Sequence, residues 1–281
     1  MLFLWWHINK KVVYYLKKRR HAGAKGRFPM LAIARRNKIK EYINFSKYVS
    51  VAELAAEFNV TQETIRRDLK VLEGQNVLIR SYGGAYSPDG VENDVSADLR
   101  EHIHVDGKQR IAEQCCDLVS SGDSVFLDAS TTSLFIAERL KDKTFTVITN
   151  SLKILNALAD ISSIKLVLIG GGLDRNSMSF LGASTARTME QYHFDLSILS
   201  CRSLDLHHGL MDSNEQQAEI RRRAIERANR SILVVDYTKL NRTAFCDIAP
   251  LDSVDTLVVD ARLDDAWRAY LDGHGVQYID G

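Results

Sequence analysis

Two patterns of apolar and polar residues divide this chain into a shorter N-terminal part and a longer C-terminal part. In residues 31–86, apolar side chains recur at helical spacing in short segments. From Lys108 onward, short apolar runs alternate with amphipathic stretches such as 132–140 and 214–228. Because strands that alternate with helices are typical of a mostly parallel sheet covered by helices, we expect a small helical domain followed by an α/β domain.

The apolar runs of the second part predict the strands of one sheet. They are SVFLD, TVITN, KLVLI, LSILS, SILVVD, TLVVD and VQYID. The alternating pattern lapses between Pro88 and Asp106. We therefore expect a first domain at 31–87, a linker at 88–107 and a second domain at 108–281.

The first domain has the pattern of a helix-turn-helix motif. Residues 31–45 form one predicted amphipathic helix. Ser50 can cap a second helix while Glu53, three positions later, reaches back to the cap. After a tight turn, Thr61 can cap a third helix with an apolar stripe on one face. Two short helices joined in this way place the later helix in the major groove of DNA.

The polar face of the third helix and the segment after it have the chemistry to contact DNA. Guanidinium and amide groups donate hydrogen bonds to base edges and phosphates. The segment NVLIRSYGGAY alternates apolar and polar residues before Gly83-Gly84, which predicts a β-hairpin wing along the DNA backbone. Arginines alone are more typical of a solvated helix face, but the order of the elements favours DNA. The predicted DNA-binding residues are Ser50, Thr61, Gln62, Glu63, Thr64, Arg66, Arg67, Lys70, Arg80 and Tyr82.

The run from Val49 to Tyr86 resembles the DNA-binding region of the DeoR family of bacterial sugar-metabolism regulators. The sequence TIRRDL followed by RSYGGA is distinctive of that family. The resemblance implies a winged helix-turn-helix whose motif proper spans Val49 to Asp68, with Thr64, Arg66 and Arg67 facing double-stranded operator DNA.

Polar and glycine-rich loops follow the predicted strands of the second domain. In open α/β sheets, ligands bind at the carboxyl ends of the strands. The loops DAST at 128–131 and TNS at 149–151 offer hydroxyls and free N–H groups at helix starts. The loop GGG at 170–172 lets backbone N–H groups approach a ligand. Each loop alone is more typical of a helix cap or a turn. Together with Lys239 at the same edge, they predict a phosphorylated sugar or polyol as the ligand.

These loops also resemble the sensor domain of DeoR regulators, which is similar in fold to ribose-phosphate isomerases and coenzyme A transferases. Two departures are visible: Ser130 replaces a common glycine, and Gln217 and Arg221 replace a common Glu and Lys. The variants DAST, SC at Ser200-Cys201, DSN at 212–214 and NRT at 241–243 are most similar to the branch with the fucose operon activator, which implies a deoxysugar phosphate. The resemblance implies effector contacts at Asp128, Ser130, Thr131, Thr132, Thr149, Asn150, Gly171, Gly172, Asp236 and Lys239.

Charge is distributed unevenly along the chain. Residues 1–86 contain 17 Lys and Arg against six Asp and Glu, whereas residues 87–281 contain 20 against 30. The basic part suggests a polyanionic partner. Much of its charge lies in residues 1–30, a basic extension with two interpretations. Met30 offers an alternative start, which favours an extension that is not native, and the other interpretation is a basic arm that binds phosphates.

Composition excludes several other classes of protein. The apolar stretch LFLWW is far shorter than the roughly 20 residues that span a bilayer, and its basic residues follow it, unlike those of a secretory signal. The four cysteines lack C-x-x-C spacing, so we expect no structural zinc and no cofactor. We expect a cytoplasmic protein with no membrane partner.

The sequence is compatible with three functions. A regulator that senses a sugar phosphate is favoured, and we expect it to act as a dimer or tetramer. An isomerase-like enzyme would need a carboxylate or histidine near the bound carbon, but Gln217 stands where the family often has an acid, although Asp128 and Asp236 remain possible bases. A ligand-independent oligomerisation module would have apolar loops at the sheet edge, and these loops are polar.

Overall fold

The structure is a computed structural model, which describes residues 31–46, 48–75, 77–81, 83–86 and 96–281. The predicted basic extension at 1–30 and the candidate Tyr82 therefore lie outside the described residues. The elements of the first domain are α1 (Ala32–Ser46), β1 (Tyr48–Ser50), α2 (Val51–Phe58), α3 (Gln62–Glu73), β2 (Ile79–Ser81) and β3 (Gly84–Tyr86).

Local capping explains where the two helices of the motif begin and end. The hydroxyl of Ser50 accepts a hydrogen bond from Glu53 N at 3.5 Å, and that of Thr61 accepts one from Thr64 N at 3.2 Å. Between them Asn59 is in the left-handed region, with φ 52°, and ends α2. The two helices of the predicted helix-turn-helix thus begin at the predicted caps, Ser50 and Thr61.

The wing is a three-stranded sheet rather than a simple hairpin. Strands β2 and β3 pair antiparallel on either side of Gly83, whose φ of 84° favours glycine at the turn. Strand β1, which the sequence did not predict, pairs antiparallel with β3 on its other side. The short segment before α2 therefore ties the wing to the start of the motif.

The second domain alternates strands and helices in the predicted manner. Its helices are α4 (Ala97–Glu101), α5 (Val105–Cys115), α6 (Thr131–Arg139), α7 (Leu152–Leu158), α8 (Ala183–Met189), α9 (Glu215–Glu226) and α10 (Asp265–His274). Its strands are β4 (Ser124–Leu127), β5 (Thr146–Thr149), β6 (Lys165–Leu168), β7 (Gly172–Asp174), β8 (Ser179–Leu181), β9 (Phe194–Leu199), β10 (Ser203–Asp205), β11 (Gly209–Asp212), β12 (Ala228–Val235), β13 (Cys246–Ala249), β14 (Thr256–Val259) and β15 (Gln277–Asp280).

Every predicted apolar run forms a strand of one seven-stranded parallel sheet. The strand order is β15-β14-β12-β9-β4-β5-β6. Along β4, Val125 and Leu127 are buried in the apolar core on one face of the sheet, whereas Phe126 is buried in the core on the other face. Both faces are therefore covered, and the predicted α/β class is confirmed.

The structure corrects the expected linker and adds elements that the sequence did not predict. Residues 97–107 were expected to be linker, yet they contain α4 and the start of α5. Ala97 is buried, its N–H donates to Asn176 O at 2.7 Å, and α4 packs on α6. The β7–β8 hairpin and the small antiparallel sheet β10-β11-β13 were also missed, because short strands on a larger domain leave little periodicity.

Candidate functional site

The outward face of α3 presents the predicted polar residues to solvent. Gln62, Glu63, Arg66, Arg67 and Lys70 are all exposed, while the opposite face of the helix packs into the core. An exposed helix with fork-shaped guanidinium groups at its start is the arrangement that contacts base edges in a major groove.

The side chains of this face form a chain of contacts along the helix. Arg66 Nη2 donates to Gln62 Oε1 at 3.3 Å, and its Nη1 lies 3.7 Å from Glu63 Oε2. Arg67 Nε lies 3.4 Å from Glu63 Oε1. Both arginines are therefore pre-positioned by neighbours on the same face.

Other predicted DNA-binding residues already have structural partners. The hydroxyls of Ser50 and Thr61 cap helices, and Thr64 Oγ1 lies 2.9 Å from Thr61 Oγ1. On the wing, Arg80 Nε donates to Glu73 Oε2 at 2.6 Å. This bond joins β2 to the end of α3. Burial raises the pKa of the Glu73 carboxyl, but the hydrogen bonds and the charge of Arg80 outweigh burial and hold that pKa below its ordinary value.

Sequence reasoning did not identify the role of Asp68, which fixes α3 against α1. The buried carboxylate accepts from Arg35 Nε at 2.5 Å and from Arg36 Nε at 3.0 Å. Arg35 is buried as well. The basic start of α1 thus holds the recognition helix in place rather than forming a free charged surface.

In the second domain the strand order defines one crevice. From β4 the chain proceeds outward through β5 and β6 on one side, and then through β9, β12, β14 and β15 on the other. In doubly wound sheets the ligand crevice lies where this reversal occurs, at the carboxyl ends of the strands. The candidate site is therefore the crevice between the loops after β4 and β9, which begin at Asp128 and Ser200.

Asp128 lies at the centre of a buried network in this crevice. Its Oδ2 accepts from Arg221 Nε at 2.8 Å and from Ser200 N at 3.3 Å, and its Oδ1 accepts from Ser133 Oγ at 2.6 Å. Arg221 also pairs with Asp212 through its Nη1. Burial opposes ionisation, but Arg221 and the hydroxyls outweigh it and lower the pKa of Asp128.

Lys239 and Asp236 border the same crevice from the loop after β12. Lys239 Nζ donates to Ser200 Oγ at 2.8 Å and lies 3.9 Å from Asp236 Oδ2. Asp236 caps the turn that contains Thr238. Burial opposes ionisation of Asp236, but Lys239 and Thr238 outweigh it and lower the pKa of the carboxyl.

The predicted hydroxyl and amide residues are buried at the same sheet edge. Ser130 caps α6 by accepting from Ser133 N at 3.0 Å, and Thr131 and Thr132 form the first turn of that helix. Thr149 Oγ1 donates to Leu127 O at 2.7 Å. Asn150 Nδ2 donates to Phe180 O at 3.1 Å, while its buried Oδ1 has no partner among the described residues.

The glycine loop lies farther from the crevice than the other predicted loops. Gly171 and Gly172 follow β6, which is the edge strand, and β5 separates them from β4. A Cβ on Gly171 would lie 2.0 Å from Thr185 Oγ1 and 2.8 Å from Leu181 O. Close packing against β8 and α8 therefore requires a glycine at this position, and a role for the loop in effector binding stays a prediction.

Two cations that the sequence analysis did not assign lie at the site. Arg100 of α4 is influenced by the charges of Arg221 and Asp128, and its Nε is buried without a hydrogen-bond partner among the described residues. Burial first, and then the nearby cations, lower the pKa of Arg100 to about 10. Lys108 Nζ donates to Ile103 O at 2.5 Å, and burial lowers the pKa of its amine to about 7. Arg100 and Lys108 lie eight residues apart on two different helices, so the sequence showed no helical periodicity that would place them together.

The described part of the chain shows neither a metal-ligand cluster nor a membrane-spanning helix. That part contains no group of three or more His, Cys, Asp and Glu side chains arranged to hold a metal ion. None of its helices combines the length and the apolar character needed to cross a bilayer.

Comparisons with known proteins agree with both domains. A model of the DeoR-like helix-turn-helix domain matches residues 35–91, and one of the DeoR C terminal sensor domain matches residues 103–261. The uncharacterized HTH-type transcriptional regulator YulB of Bacillus subtilis is 42% identical over 84% of this chain and 92% of its own length. The L-fucose operon activator of Haemophilus influenzae is 31% identical over 86% of this chain and 97% of its own length.

Among solved structures, ribose 5-phosphate isomerase A of Methanocaldococcus jannaschii aligns with 48% of this chain and 54% of its own. The sequence identity is 17% and the TM-score is 0.36. The family assignment depends on the domain models and on the sequence relatives, which span most of this chain. The chain belongs to the DeoR family of transcriptional regulators.

Proposed function

We propose that this protein is a sequence-specific DNA-binding regulator of a sugar-catabolic operon, controlled by a phosphorylated sugar. The observation on which the proposal depends is the presence, in one chain, of an arginine-bearing recognition helix and of the cations Arg100 and Lys239 beside the buried Arg221–Asp128 pair at the switch point of the sheet. DNA-binding regulators need the first feature, and an anionic effector would explain the second.

The DNA contact of the proposal is made by α3 and the wing. Arg66 and Arg67 extend from the first turns of α3, where recognition helices contact base edges. Arg80 lies on the wing, where it can contact the phosphate backbone. A dimer or tetramer of the chain would place two recognition helices roughly 34 Å apart on repeated half-sites.

The effector contact of the proposal is made by the crevice after β4 and β9. The charge of Arg100 is disfavoured there in the free protein, because desolvation and the nearby guanidinium of Arg221 lower its pKa, and its buried Nε lacks a partner among the described residues. A phosphate dianion would compensate the charge of Arg100, and its oxygens could also accept a hydrogen bond from Lys239 Nζ. The relative named as an L-fucose operon activator is consistent with a deoxysugar phosphate.

Arg100 also offers a route by which the effector could act on DNA binding. It lies on α4, the first described helix after the segment that joins the two domains. Lys153 holds this helix through ion pairs with Asp98, at 2.6 Å, and with Glu101. An effector that contacts Arg100 would therefore act on the end of the connecting segment, and a coupling of roughly 1 to 3 kcal/mol is the usual scale.

We further propose that the site binds its ligand without chemical reaction. Gln217 Nε2 donates to Ser179 Oγ at 2.9 Å, and an amide is a poor general base. The carboxylate of Asp128 is engaged by Arg221. Ribose 5-phosphate should be recovered unchanged after incubation with the protein, and turnover above that of a heat-inactivated sample would contradict this proposal. We also propose that the protein acts in the cytoplasm, because the proposed partner is operator DNA.

A gel-shift assay tests the DNA half of the proposal. The double variant Arg66→Ala/Arg67→Ala should lose binding to DNA from the protein's own promoter region while its circular dichroism spectrum stays unchanged. Arg139→Ala removes an exposed cation at the end of α6 and serves as the matched control, which should bind normally. Wild-type affinity in the double variant would remove both arginines from the interface.

Thermal shift tests the effector half. Glucose 6-phosphate, fructose 6-phosphate and a deoxysugar phosphate are compared with the same sugars lacking phosphate. The phosphorylated cognate sugar should raise the unfolding midpoint of the wild type and of Arg139→Ala. Lys239→Ala and Arg100→Met should weaken that shift, and an unaltered shift in both would reject the crevice as the site. Size-exclusion chromatography with light scattering tests the dimer or tetramer.

A further inference from the structure

Glu63 is an acid on the basic surface that the proposed function directs toward DNA. It lies in the first turn of α3 and its side chain is 60% exposed. The other carboxylates of this helix are occupied elsewhere, since Asp68 is buried against α1 and Glu73 bonds to the wing. DNA in the groove of α3 would therefore meet the carboxylate of Glu63 among the arginines.

Helix stability explains an acid at this position only in part. An acid in the first turn interacts favourably with the helix N-terminus, and exposed intrahelical ion pairs stabilise a helix slightly. However, Glu63 contacts Arg66 and Arg67 at once, on the surface where phosphates would repel a carboxylate. Such an acid weakens non-specific DNA binding, which depends on cationic contacts to phosphates. A compensating contact to a base would account for its presence.

The donor and acceptor pattern of the major groove identifies that base. A carboxylate only accepts hydrogen bonds, and the exocyclic amino groups of cytosine and adenine are the donors in the groove. The N6 amino group of adenine lies beside the acceptor N7, which repels a carboxylate, whereas cytosine N4 has no such neighbour on its own base. Guanine presents two acceptors, O6 and N7, to an arginine fork. The acid and the arginines of this face together complement cytosine and guanine.

We propose that Glu63 determines the operator preference by accepting a hydrogen bond from cytosine N4. Arg66 or Arg67, still held beside Glu63, donates to guanine in the adjacent base pair. Four residues of helix rise about 6 Å, so Glu63 and Arg67 can contact neighbouring base pairs. This inference rests on the proposed function, because it requires α3 to lie in the major groove.

The experiment starts from the sequence preference of the wild-type full chain. A double-stranded DNA library with a randomised core is enriched for binding, and each base pair of the resulting half-site is then substituted in turn. Dissociation constants are measured by fluorescence anisotropy at one salt concentration for the wild type, Glu63→Ala, Glu63→Gln and Glu57→Gln. Glu57 is an exposed acid of α2 whose Oε1 is 3.4 Å from Tyr42 Oη, so its variant removes the same charge away from the face of α3.

The variants should separate base recognition from charge. Replacing the critical C·G pair should weaken wild-type binding roughly 5- to 150-fold, the usual range for one specific base contact. Glu63→Ala should reduce that preference to within about threefold while binding unrelated DNA more tightly. Glu63→Gln should shift the preference toward adenine, because an amide pairs with adenine N6 and N7. Glu57→Gln should keep the wild-type preference at every position.

The inference is overturned if Glu63→Ala and Glu63→Gln both keep the full wild-type preference at every base pair, or if the position they alter is not cytosine. If the wild type enriches no DNA sequence, the proposed function itself fails and the inference fails with it. Far-UV circular dichroism checks that the domain is folded, and the nearly isosteric Glu63→Gln keeps the test valid if Glu63→Ala unfolds.

Discussion

Replacing Arg221 by Met tests whether the buried network at the crevice holds the second domain together. Arg221 is the partner of Asp128 at 2.8 Å and also pairs with Asp212. The side chain of Asp128 is 2% exposed, so the variant leaves a carboxylate in the protein interior without its counter-charge. Removing one partner of a buried ion pair costs about 3 to 5 kcal/mol. A domain of this size changes its unfolding midpoint by about 2 to 4 °C per kcal/mol, so a decrease of about 6 to 20 °C is expected.

The pH dependence of this loss tests the electrostatic explanation directly. In the wild type the pKa of Asp128 is lowered, so its contribution to stability is present above the ordinary carboxyl pKa and is lost only as the pH falls below it. Without Arg221, burial should raise the pKa of Asp128 above its ordinary value. The stability difference between Arg221→Met and the wild type should therefore be largest at neutral pH and decrease as the pH falls toward the carboxyl range.

Differential scanning calorimetry of the full chain at neutral and at mildly acidic pH measures this difference. Arg223→Met is the matched control on the same helix, because Arg223 is 26% exposed and pairs with Glu219 and Glu190 at the surface. Surface pairs of this kind contribute about 1 kcal/mol or less. The reasoning would be refuted if Arg221→Met lost no more stability than Arg223→Met, or if its loss were the same at both pH values. Asp128→Asn in the Arg221→Met background should recover part of the loss.

Three further predictions address other parts of the molecule. Asp68→Asn weakens two charged hydrogen bonds between α1 and α3. The free energy of unfolding of the first domain, measured in urea, should fall by about 1.5 to 3 kcal/mol, and DNA should bind less tightly. An unchanged urea midpoint would contradict this expectation. Gly171→Ala places a Cβ 2.8 Å from Leu181 O and should cost about 1 to 3 kcal/mol by thermal unfolding. Gly273→Ala, at a helical position with open space around it, should instead be neutral or stabilise the domain by up to about 1 kcal/mol. Because the pKa of Lys108 is about 7, raising the pH above it removes a cation from the site, and isothermal titration should show affinity for the proposed phosphate effector falling by about tenfold. Lys108→Arg keeps its charge and should abolish most of that dependence, so an equal pH dependence in both proteins would count against Lys108.

The sequence by itself determined the local elements of this protein. Ser50, Thr61 and Ser130 begin helices because a side-chain oxygen reaches a backbone N–H only three residues away. The seven apolar runs form strands because a buried parallel strand needs several consecutive apolar residues. These interactions lie within a few positions along the chain, so spacing and residue type were sufficient to predict the helix-turn-helix and the α/β class, whereas the family was predicted from the resemblance of TIRRDL and RSYGGA.

Only the tertiary structure decided which charges meet. Arg221 reaches Asp128 across 93 positions of sequence, and Arg35 reaches Asp68 across 33. Such contacts depend on strand order and on how helices cross the sheet, which residue periodicity does not encode. For the same reason the sequence placed Arg100 in the expected linker and gave no sign that it lies at the site, since its guanidinium comes near Arg221 only after α4 packs on α6. Short-range hydrogen bonding therefore defined the elements, whereas long-range packing created the charged crevice.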